Sequence, residues 1–229
     1  MATLPQSAKT SKSKKTKRRI VNAYFELMYG KEWDKITVKE ICARAEITRG
    51  TFYQYYNDIY DVIDQEEKAL LDDITARYNK LPFLPRIDPP KDFDAEFSYA
   101  PPPRLVAWFD FCKDHRKAMA ALLDKQYGDH YFVKRLKDML KENIIYLMER
   151  DGQPNDELRD YFVNIFLELH FMSALIWLER GEEEFLSITQ IVTLLNTMRV
   201  GANYLSYAKR QKIGFAIKDA IPEYTGEPG

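Results

Sequence analysis

The 229-residue sequence lacks the usual features of exported and membrane proteins. It has only two cysteines, Cys42 and Cys112, and both lie in patterns that predict helices. We therefore expect buried thiols in a reducing compartment and no disulfide. No apolar stretch approaches the roughly 20 residues that cross a membrane, and the basic N-terminus lacks the apolar segment of a secretory signal. These absences predict a cytoplasmic protein with no membrane partner.

The sequence also lacks the motifs of enzymes. The three histidines, His115, His130 and His170, are scattered, and none has a partnered nucleophile or base at a catalytic spacing. Metal-ligand clusters, phosphate-binding loops and dinucleotide-binding glycine motifs are absent. We therefore predict no catalytic residue, no metal site and no cofactor. An enzyme on a helical scaffold is the least favoured of the function classes.

Alternation of apolar and polar residues with period two is absent over any distance, so we expect no sheet. Apolar residues instead recur at helical spacing from Ile20 onward. In the second half of the chain, this spacing predicts helices near 104–115, 116–126, 130–150, 155–180 and 184–208.

Charge is distributed unevenly, although the net charge is only −1. Residues 1–57 carry a net charge of +7, which leaves −8 on the rest of the chain. A basic segment joined to an acidic body is typical of proteins that bind a polyanion at one end. Part of this charge lies in residues 1–15, which we expect to form a disordered basic arm, so a solubilising tail would fit as well.

A helix-turn-helix motif is predicted in the segment TVKEICARAEITRGTFYQYY. Thr37 and Glu40 form a capping box that begins the support helix. Ala45-Glu46-Ile47 makes the turn, and Thr48 caps a short second helix that runs to Tyr56.

The second helix of this motif carries side chains that suit a DNA groove, around the buried anchor Phe52. Hydroxyl groups suit phosphates, Gln54 suits a base edge, and Arg49 suits guanine or phosphate. The residues predicted to be exposed are Thr48, Arg49, Thr51, Tyr53, Gln54 and Tyr55. Aromatic residues at helical spacing are usually core residues, and Phe52 and Tyr56 fit that interpretation.

The same residues, TVKEICARAEITRGTFYQYYND, resemble the signature of the TetR (tetracycline repressor) family of transcriptional regulators. In that signature, a Thr-capped helix precedes Ile-Ala-x-x-Ala-Gly-Val-Ser-x-Gly-Thr-Phe-Tyr-x-Tyr-Phe. The matching positions are Thr37, Ile41, Ala45, Ile47, Thr48, Gly50, Thr51, Phe52, Tyr53, Tyr55 and Tyr56. The resemblance covers about residues 16–63, roughly a fifth of the chain.

This resemblance implies a role for each DNA-binding residue. Thr37 would contact a phosphate at the start of the support helix, and Tyr53 would contact a phosphate or a thymine methyl group. Gly50 would permit close approach of the backbone to DNA. The residues that would face the major groove are Thr48, Arg49, Thr51, Gln54 and Tyr55.

Two positions depart from the family pattern. Glu46 replaces the usual glycine of the turn, and a left-handed conformation there would cost about 1 kcal/mol in strain. Ile59 replaces the lysine that commonly opens the fourth helix, which removes an expected phosphate contact. The basic residues between Lys12 and Arg19 offer replacement contacts.

Two segments of the C-terminal half, residues 158–178 and 185–205, are apolar nearly all the way round. A helix that is apolar on every face is buried on every face. We predict a four-helix interface between two subunits, which the resemblance also implies, although a buried internal hairpin would give the same pattern. A charge introduced at Leu195 is therefore expected to separate the subunits.

TetR-like proteins usually bind a small effector among the middle helices. Aromatic side chains are abundant there, and a cavity lined by them suits a flat or lipophilic ligand. The candidate lining residues are Tyr78, Trp108, Phe109, Tyr127, Phe132, Tyr146, Phe166 and His170. The same spacing is more often that of a packed core, so both interpretations stay open.

Seven of the eleven prolines lie between Pro82 and Pro103, which predicts an extended loop without helix. The acidic residues of this loop are a candidate docking segment for a protein partner. They are Asp88, Asp92, Asp94 and Glu96.

The predicted fold is all-α, with a three-helix helix-turn-helix DNA-binding domain followed by a helical ligand-binding and dimerisation domain. The predicted ranges are 1–15 for the basic arm, 16–60 for the DNA-binding domain, 61–208 for the regulatory domain and 209–229 for a tail. The predicted function is a transcriptional repressor, a homodimer that binds a palindromic operator in double-stranded DNA and is released by a small lipophilic or aromatic effector. The alternative is a DNA-binding dimer that is constitutive or controlled by a protein partner.

Overall fold

A computed structural model of the chain describes residues 6–82, 88, 90–156, 158–180 and 186–211. This part of the chain forms ten α-helices and no β-strand, which confirms the predicted all-α class. In chain order the helices are α1 (Gln6–Met28), α2 (Val38–Arg44), α3 (Arg49–Tyr53), α4 (Ile59–Asn79), α5 (Phe93–Glu96), α6 (Pro103–Asp114), α7 (Arg116–Leu122), α8 (His130–Arg150), α9 (Leu158–Glu179) and α10 (Ile188–Arg210).

The first helix begins earlier than the sequence predicts. Disorder is expected for residues 1–15, but α1 begins at Gln6, and only residues 1–5 lie outside the described part. Ile20, Tyr24 and Met28 are completely buried and anchor the C-terminal half of α1. Once nucleated there, the helix extends at little cost through lysines, which are good helix formers. The basic arm is therefore largely helical.

Two long helices connect the N-terminal motif to the body. Helix α1 packs against α2 and also against α7, and α4 packs against α6. One hydrophobic core runs without interruption from Ile20 in α1 to Leu195 in α10. The domain boundary predicted between residues 60 and 61 falls in the first turn of α4, and it stays a prediction. At the other end, α10 continues to Arg210, and the predicted tail beyond Gln211 lies outside the described residues.

The proline-rich segment contains a short helix, contrary to the prediction of an extended loop. The Asp92 carboxylate accepts hydrogen bonds from the N–H groups of Asp94 and Ala95, at 3.1 and 3.2 Å, and so caps α5. Phe93 is buried, and its ring centroid lies 5.2 Å from that of Tyr204 in α10. The helix forms because its four residues lie between the prolines and contain none.

Leu195 does not lie on the outer face of α10, which contradicts the prediction made for it. Leu195 is 2% exposed, whereas the neighbouring Leu194 is 51% exposed. Successive residues point about 100° apart around a helix, so one step in sequence moves a side chain from the core to the surface. The large apolar side chains exposed on the two C-terminal helices are Leu158, Tyr161, Ile165, Met172 and Ile176 on α9, and Leu194, Met198 and Tyr204 on α10.

Helix α9 also contradicts the prediction that no stretch approaches a membrane span. By length and composition it is apolar enough to cross a membrane, with a mean hydropathy of 1.5 over a window that is 39% buried. Its hydropathy is high because apolar residues occupy the outer face as well as the face toward the core. Cys42 and Cys112 are both buried and free, as predicted.

Candidate functional site

Helix α2 begins with the capping box that the sequence predicts. The Thr37 hydroxyl accepts a hydrogen bond from the Glu40 N–H at 3.3 Å, and the Glu40 carboxylate accepts one from the Thr37 N–H at 2.9 Å. The Lys31 ammonium, 2.8 Å from this carboxylate, and the Thr37 donors lower the pKa of Glu40 to about 2. Thr37 is exposed, but its hydroxyl is engaged within the protein, so a phosphate would have to share it with Glu40.

The turn after α2 places Glu46 where glycine is usual. Glu46 has a φ of 50°, the left-handed conformation considered from the sequence. Its N–H donates to the Ala43 carbonyl at 3.3 Å, and the Ile47 N–H donates to the Cys42 carbonyl at 3.0 Å. These two bonds make a Schellman motif, which satisfies the last carbonyl groups of α2 and fixes the angle toward α3.

Arg19 of α1 supports this strained residue. Its Nη2 donates to the Glu46 backbone carbonyl at 3.1 Å and lies 3.4 Å from the Glu46 carboxylate. The contacts hold the turn against α1 and offset a strain of about 1 kcal/mol. Sequence reasoning considered Arg19 only as one of the basic residues between Lys12 and Arg19. The available signal was Glu46 itself, because a non-glycine residue in a left-handed turn indicates that another residue stabilises the turn.

Helix α3 ends at Tyr53, short of the predicted end at Tyr56. The N–H groups of Tyr55 and Tyr56 both donate to the Phe52 carbonyl, at 2.9 and 3.1 Å, which tightens the last turn. This geometry turns the Tyr56 side chain into the core, where it is 2% exposed. Gln54 therefore lies at the C-cap of α3 and not inside the helix.

The residues predicted to bind DNA lie on one short surface segment, apart from Thr37. Phe52 is completely buried beneath that segment and anchors α3. Tyr53 is 58% exposed, which is unusual for an aromatic residue with a packing role. The exposed members of the predicted set are Thr37, Thr48, Arg49, Gly50, Tyr53 and Gln54, and the partly buried ones are Thr51 and Tyr55.

Four of these residues lie at the start of α3, and their contacts within the protein are few. The Thr48 hydroxyl accepts from the Thr51 N–H at 3.1 Å, which confirms the predicted N-cap, and lies 3.0 Å from the Thr51 hydroxyl. Arg49 forms no ion pair within the described part of the chain. A methyl group on Gly50 would meet only the Thr48 hydroxyl, at 3.8 Å, so packing inside the protein does not require glycine there.

Lys17 supplies a cation near the start of α4, where the family lysine is missing. Ile59 at that position is only 8% exposed and belongs to the core. The Lys17 Nζ lies 5.4 Å from the ring centroid of Tyr56 and 3.3 Å from the side-chain oxygen of Gln65 in α4. Sequence reasoning included Lys17 among the basic residues between Lys12 and Arg19, without this contact to α4.

A second candidate site is a cavity in the body, bounded by α4, α6, α8, α9 and α10. The space that it borders amounts to about 740 Å³, a volume that includes open solvent. Four of the eight predicted lining residues do line it: Tyr78, Trp108, Phe166 and His170. Much of the remaining wall is aliphatic.

The other four predicted lining residues lie elsewhere. Phe109 and Phe132 are completely buried in the core, and Tyr127 lies in the connection between α7 and α8. Tyr146 does not line the cavity but packs against Arg104, which does, with its ring centroid 4.8 Å from the guanidinium carbon. Helical spacing predicts that such residues face inward, but it does not distinguish the wall of a cavity from a filled core.

Sequence reasoning missed the polar residues of the cavity. They are Arg104, Asn143, Asp151, Gln153, Arg199 and Asn203. Asn143, Arg199 and Asn203 fall at positions where the helical period places apolar side chains. A polar residue in an apolar stripe was therefore the available signal.

Arg104 is fixed on the cavity wall between two aromatic rings. Its guanidinium carbon lies 5.6 Å from the ring centroid of Tyr78 and 4.8 Å from that of Tyr146. It also donates a hydrogen bond to the side-chain oxygen of Asn143. Within the described residues, no carboxylate lies at ion-pairing distance from Arg104.

Arg199 closes one end of the cavity. Its Nη1 lies 2.7 Å from the Asp151 carboxylate, and its Nη2 donates to the backbone carbonyls of Ser98 and Ala100 at 2.8 and 3.2 Å. Arg150 pairs with the other oxygen of the same carboxylate. Burial lowers the pKa of Arg199, and Asp151 opposes that effect. The hydrogen bonds to Ser98 and Ala100 therefore tie the proline-rich segment to α10.

Two ring nitrogens of the lining residues have unused hydrogen-bonding capacity within the described part of the chain. Trp108 is completely buried, and its indole N–H has no hydrogen-bond partner within the described part of the chain. His170 Nδ1 lies 2.5 Å from the Phe166 carbonyl, which can only accept, so Nδ1 carries the proton and Nε2 is an acceptor. Burial lowers the pKa of His170, which favours this neutral ring.

Solved structures with this fold include several TetR-family regulators, although no protein-family model and no curated protein matches the sequence. A regulator from Streptococcus agalactiae has 19% identity and a TM-score of 0.53, over 85% of this chain and 98% of its own. One from Streptomyces coelicolor has 17% identity and a TM-score of 0.53, over 92% and 90%. The fatty acid degradation regulator FadR from Bacillus halodurans has 16% identity and a TM-score of 0.52, over 81% and 95%. The chain therefore has the fold of TetR-family transcriptional regulators, with a helix-turn-helix followed by a helical body.

Proposed function

We propose that this protein is a cytoplasmic transcriptional repressor that binds DNA through α3. The observation that carries the proposal is the exposed segment Thr48–Tyr55, which the buried Phe52 holds within a helix-turn-helix. A motif of this kind inserts the N-terminal residues of its second helix into the major groove. Arg49, which forms no ion pair among the described residues, and the exposed Gln54 suit base edges, and the hydroxyl of Tyr53 suits a phosphate.

Replacing Gln54 with alanine tests whether this residue recognises a base of the operator. Gln54 can form two hydrogen bonds with adenine, so Gln54→Ala should weaken operator binding by about 1–3 kcal/mol and relax the preference at one base position. The measurement is selection from random duplexes, followed by affinity measurement on the selected sites. Gln126→Ala, which removes an exposed glutamine far from α3, is the control and should change neither. Identical motifs bound with equal affinity by wild type and Gln54→Ala would contradict this role.

We propose that the operator is palindromic because the protein forms a two-fold dimer. Helices α9 and α10 pack against each other, and their outer faces expose apolar side chains such as Ile165, Ile176 and Leu194. A contiguous apolar surface of this kind is typical of a subunit interface. Two subunits would present two copies of α3 to inverted half-sites that are about 34–36 Å apart, or a multiple of that distance.

The basic residues of α1 should add affinity without base preference. Lys12, Lys14 and Lys15 are exposed and precede the motif that reads bases. Replacing all three with glutamine should reduce the slope of log affinity against log salt by about 0.9 for each phosphate contact that is lost. The slope is measured by fluorescence anisotropy with a labelled operator duplex.

The matched control for this experiment removes three exposed lysines of the body, at positions Lys113, Lys125 and Lys209. This control should leave the salt slope unchanged, because the body does not face DNA in the proposed arrangement. If the α1 variant also kept the wild-type slope, contacts between its lysines and phosphates would be ruled out.

We propose that a small effector in the cavity controls DNA binding. Helix α4 joins the two sites, because Tyr78 near its C-terminus lines the cavity while Asp58 caps its start next to α3. A ligand that displaces the cavity end of α4 would therefore change the position of α3. Packed helices of this kind shift between discrete arrangements and do not deform continuously.

Control by a protein partner through the proline-rich segment is the alternative. Its acidic side chains are largely engaged within the segment, which makes them less available for docking. Asp92 caps α5, Asp94 accepts from the Tyr99 hydroxyl at 3.0 Å, and Glu96 accepts from the Lys91 N–H at 3.0 Å. We therefore favour the cavity as the site of control.

A further inference from the structure

On the basis of the effector site proposed above, we infer that its ligand is an apolar monocarboxylate whose acid group binds Arg104 and Trp108. Three observations carry this assignment: an unbalanced positive charge, an unsatisfied buried donor, and an otherwise apolar wall. Each concerns residues that line the cavity.

The charge balance of the cavity favours an anion. Its charged lining residues are Arg104, Asp151 and Arg199. Asp151 is already neutralised, because its two carboxylate oxygens pair with Arg150 and Arg199. Arg104 has no carboxylate partner among the described residues, and a guanidinium that a bulky ligand shields from water is costly without one. An anionic ligand would supply the missing counter-charge.

Trp108 adds a hydrogen-bond donor on the same wall. Arg104 and Trp108 are four residues apart in α6, so their side chains lie on one face of the helix, one above the other. Among the described residues, the buried indole N–H of Trp108 has no acceptor, and an unsatisfied buried donor is unfavourable. A carboxylate has two oxygens, so one can bind the guanidinium while the other accepts from the indole.

The rest of the wall selects an apolar body with a single acid group. The apolar lining residues include Leu140, Ile144, Leu147, Met148, Phe166 and Leu195. Both an alkyl chain and an aromatic ring fit such a surface. A second acid group is disfavoured, because the remaining charged residues, Asp151 and Arg199, already pair with each other.

Matched pairs of compounds test this assignment by isothermal titration calorimetry. The pairs are decanoate with decanol, and 1-naphthoate with 1-naphthalenemethanol, so that each alcohol has the body of its acid without the charge. In at least one pair, the affinity of the wild-type protein for the acid should exceed its affinity for the alcohol by a factor of about ten or more. The comparison between the pairs shows whether the body is aliphatic or aromatic.

Variants of the two α6 residues locate the acid group. Arg104→Gln should abolish the preference for the acid, Arg104→Lys should retain part of it, and Trp108→Phe should weaken acid binding several-fold. Lys113→Gln removes an exposed cation from the same helix and should bind as wild type does. Far-UV circular dichroism and thermal unfolding establish that each variant is folded.

The outcomes separate this assignment from the proposed function. Equal binding of acid and alcohol by the wild type, or an acid preference that survives in folded Arg104→Gln, overturns the carboxylate but leaves an effector site. Binding of none of the four compounds overturns both the carboxylate and the effector site. Operator affinity, measured separately without any ligand, tests DNA binding on its own.

Discussion

Replacing Leu194 with aspartate is expected to separate the proposed dimer into monomers. Leu194 is 51% exposed on α10 and would be covered by the second subunit. A two-fold interface contains the substitution twice, and each buried, unpaired carboxylate costs about 2–3 kcal/mol. The total of about 4–6 kcal/mol corresponds to a weakening of dimerisation by roughly 10³–10⁴-fold.

Light scattering and sedimentation over a range of concentrations measure this change. Tyr131→Asp is the control, because it removes an exposed aromatic ring, 69% exposed, from α8 outside the proposed interface. That control should remain dimeric. Leu195→Asp, by contrast, should unfold the protein, since Leu195 lies in the core of one subunit. A wild-type protein that is monomeric at all concentrations, or a Leu194→Asp variant that stays dimeric, would show that the interface lies elsewhere.

Replacing Glu67 with glutamine is expected to stabilise the protein at alkaline pH. Glu67 lies in α4 and is 4% exposed, with one carboxylate oxygen 3.4 Å from Arg135. Burial, then the negative charge of Asp129, and then a hydrogen bond with the Asp129 side chain raise the pKa of Glu67 to about 8. Arg135 opposes this effect, and Asp64 adds to it weakly.

The direction of the pH dependence follows from this raised pKa. The folded state holds the Glu67 proton more tightly than the unfolded state, whose pKa is near 4.5. The contribution of Glu67 to the free energy of unfolding is therefore fully present below about pH 4.5, and it is lost as the pH rises through about 8. Each pKa unit corresponds to about 1.4 kcal/mol, so the free energy of unfolding should fall by up to about 5 kcal/mol over this window.

Urea unfolding at pH 5, 6.5 and 8 measures this dependence. The neutral amide of Glu67→Gln should remove most of the decline, so the variant and wild-type curves should diverge toward pH 8. Glu142→Gln, at an exposed position of α8, should follow the wild-type curve. If Glu67→Gln and wild type lost stability in parallel, Glu67 would be ionised in the folded protein.

Helix starts were the part of the fold that could be predicted best, because a cap depends on residues only three apart. Thr37 and Glu40 form their capping box, and Thr48 caps the start of α3 as predicted. The helical class also follows directly from the spacing of apolar residues. These features need no knowledge of how distant segments meet.

The outward-facing residues of α10 and the lining of the cavity could be predicted only in part, because both depend on how distant helices pack. Leu194 and Leu195 are the same residue type in a segment that is apolar all round, so the sequence does not reveal which one faces outward. Trp108 and Phe109 are both completely buried, yet only Trp108 lines the cavity. Similarly, the local sequence does not indicate which residue a polar lining residue such as Arg104 contacts.

The adjacency of Leu194 and Leu195 would link the proposed dimerisation to the proposed ligand binding. One of these residues would face the second subunit, and the other lines the cavity, so a rotation of α10 acts on both surfaces at once. Coupling between two binding equilibria is reciprocal, because the free energy around a closed cycle is zero. An effector that loosens the dimer by some factor would therefore bind the free subunit more tightly by the corresponding factor. Its apparent affinity would then vary with protein concentration, and dilution alone would shift the response of the regulator.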